Sequence, residues 1–216
     1  MTHRQDIITA CKKLDADGLN RGASGNVSVR DGDAMLITPS AVAYDEIEPE
    51  QIARMPLTSD AFEWEGPKKP SSEWRFHRDI LRARPDINAV VHTHAPWCTI
   101  LAVAQKPIPA IHYMIAAFGG PDVRVCEYAR YGTADLSDNI LVAMEGRNGC
   151  LMANHGMVVG GADLTRAMWL AGELEALAHQ YYHALTIGGG VVLSDAQIEE
   201  TAKGFASYGV QSRDPS

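Results

Sequence analysis

Three histidines and one glutamate are the residues of this chain whose types and spacing could do chemistry. His92 and His94 lie in a run of β-forming residues, His155 lies between an asparagine and a glycine, and Glu73 follows two serines. Side chains alternate along a strand, so His92 and His94 point to the same face. Imidazole and carboxylate groups are common ligands of divalent transition metals. The four residues therefore indicate a candidate metal site.

Spacing alone leaves the ligand set open. A single buried histidine is more often a hydrogen-bonded core residue than a metal ligand. Glu73 and His77 are four residues apart and would share one face of a helix, so either could be a ligand. The cupin interpretation of His92 and His94 expects a glutamate a few residues later, but residues 95–98 are Ala-Pro-Trp-Cys. The pattern thus favours a metal site without fixing its fourth ligand.

Three short segments, residues 22–26, 38–41 and 71–72, could bind an anion. The first is rich in glycine, the second offers a hydroxyl at a turn, and the third places two serines before a predicted helix. Free backbone N–H groups and the positive end of the helix dipole favour an anion at a helix start. Each segment alone is also typical of a plain turn or helix cap. Because residues 71–72 directly precede Glu73, an anion there would lie within reach of the metal.

The elements that must position these residues follow from hydrophobic periodicity and turn signals. The patterns predict helices near residues 7–14, 73–84, 96–104, 134–144, 163–185 and 194–208. They predict strands near residues 27–29, 35–37, 51–55, 61–64, 87–94 and 123–125, and two strands within 150–161 around a turn at 154–156. Residues 111–115 have no clear assignment. Interleaved strands and helices indicate a layered α/β fold, and the hairpin signal at Asp31-Gly32 means that the sheet is not purely parallel.

Length and composition set the class of protein. We expect one domain over residues 1–216, with a mobile tail from about 210 to 216. The net charge of −8 and the pI near 5.4 argue against binding to nucleic acid or to an anionic membrane. The four cysteines form no Cys-x-x-Cys pair, and the chain shows no signal peptide and no apolar run long enough to span a membrane. We therefore expect a soluble cytoplasmic protein with reduced thiols.

Six motifs closely resemble those of the class II aldolase/adducin family. The matching region runs in the family's order from about residue 20 to residue 208, and the combination is specific where His-x-His alone would not be. The motifs are Gly-Asn-Val-Ser-Val (25–29), Leu-Ile-Thr-Pro-Ser (36–40), Ser-Ser-Glu-Trp-Arg-Phe-His (71–77), Val-Val-His-Thr-His (90–94), Ile-His-Tyr-Met-Ile-Ala (111–116) and Asn-His-Gly (154–156). Within the family they are most similar to those of bacterial aldolases that act on L-fuculose 1-phosphate.

The resemblance implies a fold and a ligand set. The fold is a three-layer αβα domain with a central mixed, largely antiparallel sheet. One Zn²⁺ per subunit is held by Glu73, His92, His94 and His155. The implied phosphate pocket consists of Gly25, Asn26, Ser40, Ala41, Ser71 and Ser72.

The resemblance also implies an activity. Relatives of this type cleave a ketose 1-phosphate, such as L-fuculose 1-phosphate, to dihydroxyacetone phosphate and an aldehyde such as lactaldehyde. Glu73 would leave the metal when substrate binds and act as a base. Tyr113 would be a proton donor that reaches in from the neighbouring subunit of a C4 homotetramer, and Tyr208 would lie near the C-terminal tail at the catalytic site. A bound metal would stabilise the enediolate charge left by C–C cleavage.

Two departures from the family pattern leave the preferred sugar open. The related aldolases often carry Thr-Ala-Gly-Asn and Thr-Pro-Thr-Gly, whereas this chain has Ala-Ser-Gly-Asn at 23–26 and Thr-Pro-Ser-Ala at 38–41. Other reactions on the same scaffold are alternatives, namely a sugar-phosphate epimerase, decarboxylase or dehydratase. A non-catalytic adducin-like interaction domain is a further alternative, although such a domain need not keep the four ligands. The same ligands can also bind Mn²⁺ or Co²⁺.

Overall fold

The computed structural model describes residues 3–205 of the chain. Tyr208, the end of the last predicted helix and the expected tail at 210–216 lie outside the described residues. The expectation of one domain over residues 1–216 stays a prediction.

Seven strands form the main sheet, in the order β3-β2-β1-β4-β9-β8-β7. All neighbouring pairs are antiparallel except β7 with β8, which are parallel. The strands of this sheet are β1 (Asn26–Asp31), β2 (Ala34–Ile37), β3 (Ala53–Pro56), β4 (Ala89–Thr93), β7 (Val125–Cys126), β8 (Gly149–Met152) and β9 (Gly156–Gly161). The remaining two strands, β5 (Ile108–Pro109) and β6 (Asp122–Val123), pair with each other.

Helices cover both faces of the main sheet. The α-helices within the described residues are α1 (His3–Ala16), α2 (Trp74–Ala83), α3 (Pro96–Val103), α4 (Ala134–Ala143), α5 (Leu164–Thr186) and α6 (Asp195–Phe205). Two 3-10 helices cover Pro49–Gln51 and Tyr113–Phe118. Helices α2 and α4 pack on one face of the sheet, whereas α1, α3 and α5 pack on the other. None of the helices within residues 3–205 is long and apolar enough to span a membrane.

Apolar side chains from each helical layer fill a separate core on each side of the sheet. Along β4, Ala89 and Val91 belong to the core under α5, while Val90 belongs to the core under α2. This alternation is expected for a central strand that is covered on both faces. The predicted three-layer α/β fold with a mixed, largely antiparallel sheet is confirmed.

Three local predictions differ from the structure. Residues 61–64 form no strand, because the backbone there pairs with β3 only through an isolated bridge between Glu65 and Arg54. The predicted strand at 123–125 is divided at Arg124 into β6 and β7, which belong to different sheets. Glu73 precedes the first turn of α2 rather than lying within it. The segment without an assignment, 111–115, leads into the second 3-10 helix.

Candidate active site

The predicted ligands meet at one edge of the sheet, where three adjacent strands begin or end. Strand β4 lies between β1 and β9, with His92 paired to Asn26 on one side and Thr93 paired to Met157 on the other. His94 follows the last residue of β4, and His155 lies in the turn between β8 and β9. The antiparallel pairing therefore brings His155 to the same point as His92 and His94, although it lies at least 61 positions after them in the sequence.

The three imidazoles form a nearly equilateral triangle. Ring centroids are 5.0 Å apart between His92 and His94 and 4.9 Å apart from each of these to His155. One nitrogen of each ring lies within 4.8 Å of the other two, which is the only such group of three among the described residues. The Nδ1 of His92 donates to the Met157 carbonyl at 2.8 Å, which leaves the Nε2 lone pair facing the cluster.

Glu73 completes the cluster from the opposite side. Its Oε2 lies 3.2 Å from His92 Nε2, and its Oε1 lies 3.4 Å from His155 Nε2. Glu73 Oε1, His92 Nε2 and His94 Nε2 are all buried without a hydrogen-bond partner. Buried polar atoms rarely stay unpaired, and three that converge on one point fit the nitrogen and oxygen ligands of a divalent metal. The residues present therefore fit the metal that the sequence implied.

The electrostatics of the cluster keep Glu73, His94 and His155 free of protons, whereas Glu73 raises the pKa of His92 despite its burial. Burial alone would raise the pKa of Glu73, but the neighbouring His92 and His155 rings and the Asn26 amide lower it to about 2. Burial and the nearby His92 lower the pKa of both His94 and His155 to about 4. At neutral pH these two imidazoles are neutral and Glu73 is ionised, which are the protonation states that metal binding requires.

A pocket of about 450 Å³ opens beside the metal ligands. Glu73, His94 and His155 form one part of its wall, and all six residues of the predicted phosphate pocket form another. These six are Gly25, Asn26, Ser40, Ala41, Ser71 and Ser72. His92 is fully buried behind this wall. The structure thus places the predicted anion-binding segments and the candidate metal ligands around the same cavity.

Backbone pairing joins two of the three predicted anion-binding segments. Ser71 N donates to the Thr38 carbonyl at 2.9 Å, and Ser40 N donates to the Lys69 carbonyl at 3.0 Å. Ala41 ends segment 38–41 with a φ of 56°, in the left-handed region. A glycine would adopt this conformation without strain, so the alanine is a local cost of the turn.

Gly25 is required where segment 22–26 meets the candidate metal ligands. A Cβ at this position would lie 2.7 Å from the His92 carbonyl oxygen. The Gly25 carbonyl accepts from the Tyr44 hydroxyl at 2.7 Å, and Tyr44 in turn accepts from the Asn20 amide at 2.9 Å. Asn20 Oδ1 also accepts from Ser24 Oγ, and His94 N donates to it at 3.4 Å. Asn20 and Tyr44 were not predicted, yet they hold the glycine-rich segment against the backbone of a metal ligand.

A further unpredicted residue, Glu175, supports the start of the helix that follows His94. Both oxygens of Glu175, on α5, accept backbone N–H groups at 2.9 Å, one from Trp97 and one from Cys98. These two N–H groups belong to the first turn of α3, directly after His94. Free N–H groups at a helix start favour a carboxylate, so Glu175 fixes the turn that follows the ligand.

Asn26 lines the pocket, but its side chain is bonded to other protein groups. Its Nδ2 donates to Glu73 Oε2 at 3.1 Å, and its Oδ1 lies 2.5 Å from His77 Nε2. The other ring nitrogen of His77 lies 2.7 Å from Ser28 Oγ. His77, the rival ligand on sequence grounds, therefore has both nitrogens hydrogen-bonded and is no part of the imidazole triangle.

Two aromatic residues of the pocket wall were also missed. Tyr128 and Tyr131 lie between β7 and α4 and are 65% and 59% exposed. Gly132 follows them with a φ of 74°, and a Cβ there would lie 2.8 Å from the Ser72 carbonyl oxygen. The run Tyr-Ala-Arg-Tyr-Gly carries no periodic or catalytic pattern, so only a contact between distant segments could reveal it.

Tyr113 does not reach the pocket of its own chain. It begins the second 3-10 helix, is half-exposed, and stacks on His112 with ring centroids 4.7 Å apart. It is absent from the pocket wall that the described residues form. Tyr208, the other predicted catalytic tyrosine, lies outside the described residues.

The largely antiparallel αβα domain thus carries a His₃–carboxylate cluster beside the segments predicted to bind an anion. The sequence matches the family described as "Class II Aldolase and Adducin N-terminal domain" over residues 5–182. The chain belongs to this family.

Individual relatives are similar along nearly their whole lengths. The chain is 48% identical to a 5-methylthioribulose-1-phosphate/5-deoxyribulose-1-phosphate aldolase of Rhodospirillum rubrum, covering 99% of this chain and 95% of that protein. It is 42% identical to the L-fuculose phosphate aldolase of Escherichia coli K12, covering 96% and 95%. A solved structure of an L-fuculose 1-phosphate aldolase superposes with a TM-score of 0.90 at 41% identity, covering 94% of this chain and 95% of that one. The predictions of the family and of an aldolase-class enzyme are confirmed.

Proposed function

We propose that this protein is a metal-dependent aldolase that cleaves a ketose 1-phosphate to dihydroxyacetone phosphate and an aldehyde. One observation carries the proposal: the unpaired ligand atoms of Glu73, His92 and His94 converge beside a pocket lined by Ser71 and Ser72. A ketose 1-phosphate carries a phosphate on C1 and, on C2 and C3, a ketone and a hydroxyl oxygen that a metal can bind. The cavity offers both kinds of partner within one volume.

The bond that breaks lies between C3 and C4 of the sugar phosphate. The proton leaves the C4 hydroxyl, C4 becomes the aldehyde carbon, and the bonding electrons remain on the dihydroxyacetone phosphate half. A divalent metal held by Glu73, His92, His94 and His155 supplies the Lewis acidity that stabilises this charge. Protonation at C3 then completes the product.

Glu73 is suited to move the proton at C3. Its carboxylate is ionised and buried, and its Oε1 has no hydrogen-bond partner. In the condensation direction it removes the C3 proton from dihydroxyacetone phosphate, and in cleavage it returns that proton. Asn26 holds Oε2 meanwhile, so the same carboxylate stays oriented in both directions.

The phosphate end of the substrate contributes orientation. The hydroxyls of Ser40, Ser71 and Ser72 and the backbone around Gly25 surround the part of the pocket beside the cluster. These groups bind a part of the substrate that does not react, which fixes the reacting carbons next to Glu73.

Zinc is the metal that we propose, one ion per subunit. Three imidazoles and one carboxylate suit Zn²⁺, although Mn²⁺ and Co²⁺ accept the same donors. Metal analysis of the purified protein, with activity measured after EDTA and after re-addition of each ion, tests this choice. Full activity in a metal-free protein would contradict the proposal.

Tyr113 is proposed to act at the C4 oxygen of a neighbouring subunit's substrate. It is half-exposed and lies away from the pocket wall of its own chain, as a residue that serves another subunit must. The proposed assembly is a C4 homotetramer with active sites between subunits, and Tyr208 is proposed to join the same site.

The sugar is best sought among deoxyketose 1-phosphates. The relatives are named for 5-methylthioribulose 1-phosphate, 5-deoxyribulose 1-phosphate and L-fuculose phosphate, which differ beyond C3. A cleavage panel with these three compounds, with dihydroxyacetone phosphate detected by coupled reduction, ranks them by kcat/KM. Product that is epimerised, decarboxylated or dehydrated, without dihydroxyacetone phosphate, would replace the aldolase by one of the alternative reactions.

We propose a single domain over residues 1–216 that works in the cytoplasm. All four cysteines, Cys11, Cys98, Cys126 and Cys150, are buried and free of disulfides, which suits a reducing compartment.

A further inference from the structure

A buried chain of hydrogen bonds connects β1 and α2 to the carboxylate of Glu73. It runs from Ser28 through His77 and Asn26 to Glu73, with contacts of 2.7, 2.5 and 3.1 Å. Ser28 and His77 are fully buried, and Asn26 and Glu73 are only 4% and 6% exposed. Water therefore cannot replace a missing partner in this chain, so each group must be satisfied by its neighbour.

The orientation of the Asn26 amide is fixed by its contact with Glu73. A carboxylate oxygen is an acceptor, so the atom of Asn26 that lies 3.1 Å from Glu73 Oε2 is the NH₂ group. The opposite orientation would place two acceptor oxygens against each other. Asn26 Oδ1 consequently faces His77 and requires a donor there.

The protonation of His77 follows from that requirement. Burial lowers the pKa of His77 to about 3, so the ring is neutral and carries one N–H. Because Asn26 Oδ1 must accept, this N–H is on Nε2, and the Nδ1 lone pair accepts from the Ser28 hydroxyl. The hydrogen bonds therefore run in one direction, from Ser28 to Glu73, and no other arrangement satisfies every group.

We propose that His77 is a positioning residue: as the Nε2–H tautomer it locks Asn26, and through Asn26 it holds Glu73 with Oε2 bonded and Oε1 free for the metal. The catalytic part of this inference rests on the proposed aldolase function. Without a donor at His77 Nε2, Asn26 Oδ1 would be buried unpaired, and the amide would be free to rotate away from Glu73. Partners behind a metal ligand typically change metal affinity by about 10- to 100-fold when removed.

Two neutral, polar substitutions that differ by one methylene group separate positioning from simple packing. In His77→Gln the side-chain amide nitrogen reaches the place of Nε2 and can still donate to Asn26. In His77→Asn the amide reaches only the place of Nδ1, near Ser28, and the donor to Asn26 is lost. Both replacements leave part of the ring volume empty, and the free energy of unfolding of each variant measures this packing loss separately from its metal affinity.

The measurement is the dissociation constant of Co²⁺, titrated into metal-free protein at pH 7 and followed by its visible absorption. We expect about 10- to 100-fold weaker binding in His77→Asn and a change of less than about 3-fold in His77→Gln. Equal affinity in His77→Asn and the unsubstituted protein would overturn the proposal, and so would equal losses in both variants.

A second measurement needs no variant and therefore does not depend on either one folding. ¹⁵N NMR of histidine-labelled, metal-free protein distinguishes a protonated from an unprotonated ring nitrogen. We expect His77 to be neutral with its proton on Nε2, whereas a proton on Nδ1 would refute the directed chain. Neither readout uses turnover, so a protein that passes both yet cleaves no ketose 1-phosphate would refute the proposed function and leave the positioning role standing.

Discussion

At the residue scale, burial alone does not explain the protonation states of all the ionisable groups in the site. Burial favours neutral His94 and His155, and these are the states that bind a metal. Burial disfavours the Glu73 carboxylate, which stays ionised because two imidazoles and the Asn26 amide face it. The same protonation states therefore suit metal binding at neutral pH and carry a stability cost when the medium becomes acidic.

The metal-free protein should lose stability as the pH falls from 7 to 5. His77, His94 and His155 have folded-state pKa values of about 3, 4 and 4 against an ordinary 6.5, so in this window the unfolded chain binds more protons. Glu73 raises the pKa of His92 despite the burial of the ring. His92 therefore opposes this trend, but it is one group and the other three outweigh it. Urea denaturation in EDTA should show a free energy of unfolding lower by at least about 2 kcal/mol at pH 5.

His155→Gln is the control for this pH dependence. It removes one titrating group from the cluster, so the difference in free energy of unfolding between pH 7 and pH 5 should become smaller. A stability that is equal at the two pH values in the unsubstituted protein would contradict the assigned protonation states.

Replacing Ala41 by glycine should stabilise the protein. Ala41 has a φ of 56°, which costs an alanine about 1 kcal/mol and a glycine almost nothing. We expect Ala41→Gly to raise the free energy of unfolding by about 0.5–1 kcal/mol, measured by chemical denaturation. Ala43→Gly is the matched control, since Ala43 is exposed and its φ is not positive. It should be destabilising, and a gain of equal size there would rule out relief of strain as the cause.

At the element scale, the segment between β7 and α4 closes the pocket against the turn before α2. Gly132 makes the closest approach, and any Cβ there would meet the Ser72 carbonyl oxygen at 2.8 Å. Gly132→Ala should therefore displace Ser72 and raise KM for the ketose 1-phosphate by about 10-fold, because the phosphate end of the substrate is misplaced. Steady-state kinetics with coupled detection of dihydroxyacetone phosphate measures this change.

Gly146 provides a matched control for that substitution. Its φ is 65°, close to the 74° of Gly132, but a Cβ there would meet nothing within 4 Å. Both alanine variants should lose about 1 kcal/mol of stability from the left-handed backbone, and only Gly132→Ala should change KM. An equal KM increase in both variants would attribute the effect to backbone strain instead of the contact with Ser72.

Local sequence patterns were sufficient to predict some of the strands and turns. Strand β4 and the turn at 154–156 were predicted because apolar runs and Asn-His-Gly are strong local signals. Residues 61–64 have the composition of a strand, but no neighbouring strand pairs with them along their length. Composition alone cannot show whether such a neighbouring strand is present. Arg124 separates β6 from β7 because its two neighbours pair in different sheets, which depends on distant segments.

At the scale of the whole molecule, the proposed site needs Tyr113 from a second copy of the chain. Glu73→Gln and Tyr113→Phe should each reduce kcat by at least about 100-fold when purified alone. When the two inactive variants are unfolded together in equal amounts and refolded, about a quarter of the sites should combine an intact Glu73 with an intact Tyr113. About a quarter of the unsubstituted activity should then return.

The recovered activity distinguishes the two arrangements. If Tyr113 served the pocket of its own chain, mixed assemblies would contain no complete site and activity would not return. Glu145→Gln changes an exposed residue just after the end of α4 and is the control for the mixing procedure. Its activity should fall to the same extent when it is mixed with either inactive variant. Gel filtration of each sample establishes that subunits have assembled to the same size.

The family, the layered α/β fold and the candidate metal ligands could be predicted from the sequence, because they depend on motifs and on local periodicity. His92 and His94 share a face through the two-residue repeat of a strand, and this needs no tertiary information. Spacing left either Glu73 or His77 as the fourth ligand, and the tertiary structure favours Glu73, as the family resemblance did. His77 has two hydrogen-bond partners, whereas Glu73 Oε1 has none among the described residues. The pairing of β1, β4 and β9 creates the sheet edge at which the site lies. No local pattern predicts the contacts made near this edge by the unpredicted residues Asn20, Tyr44, Glu175 and Tyr131.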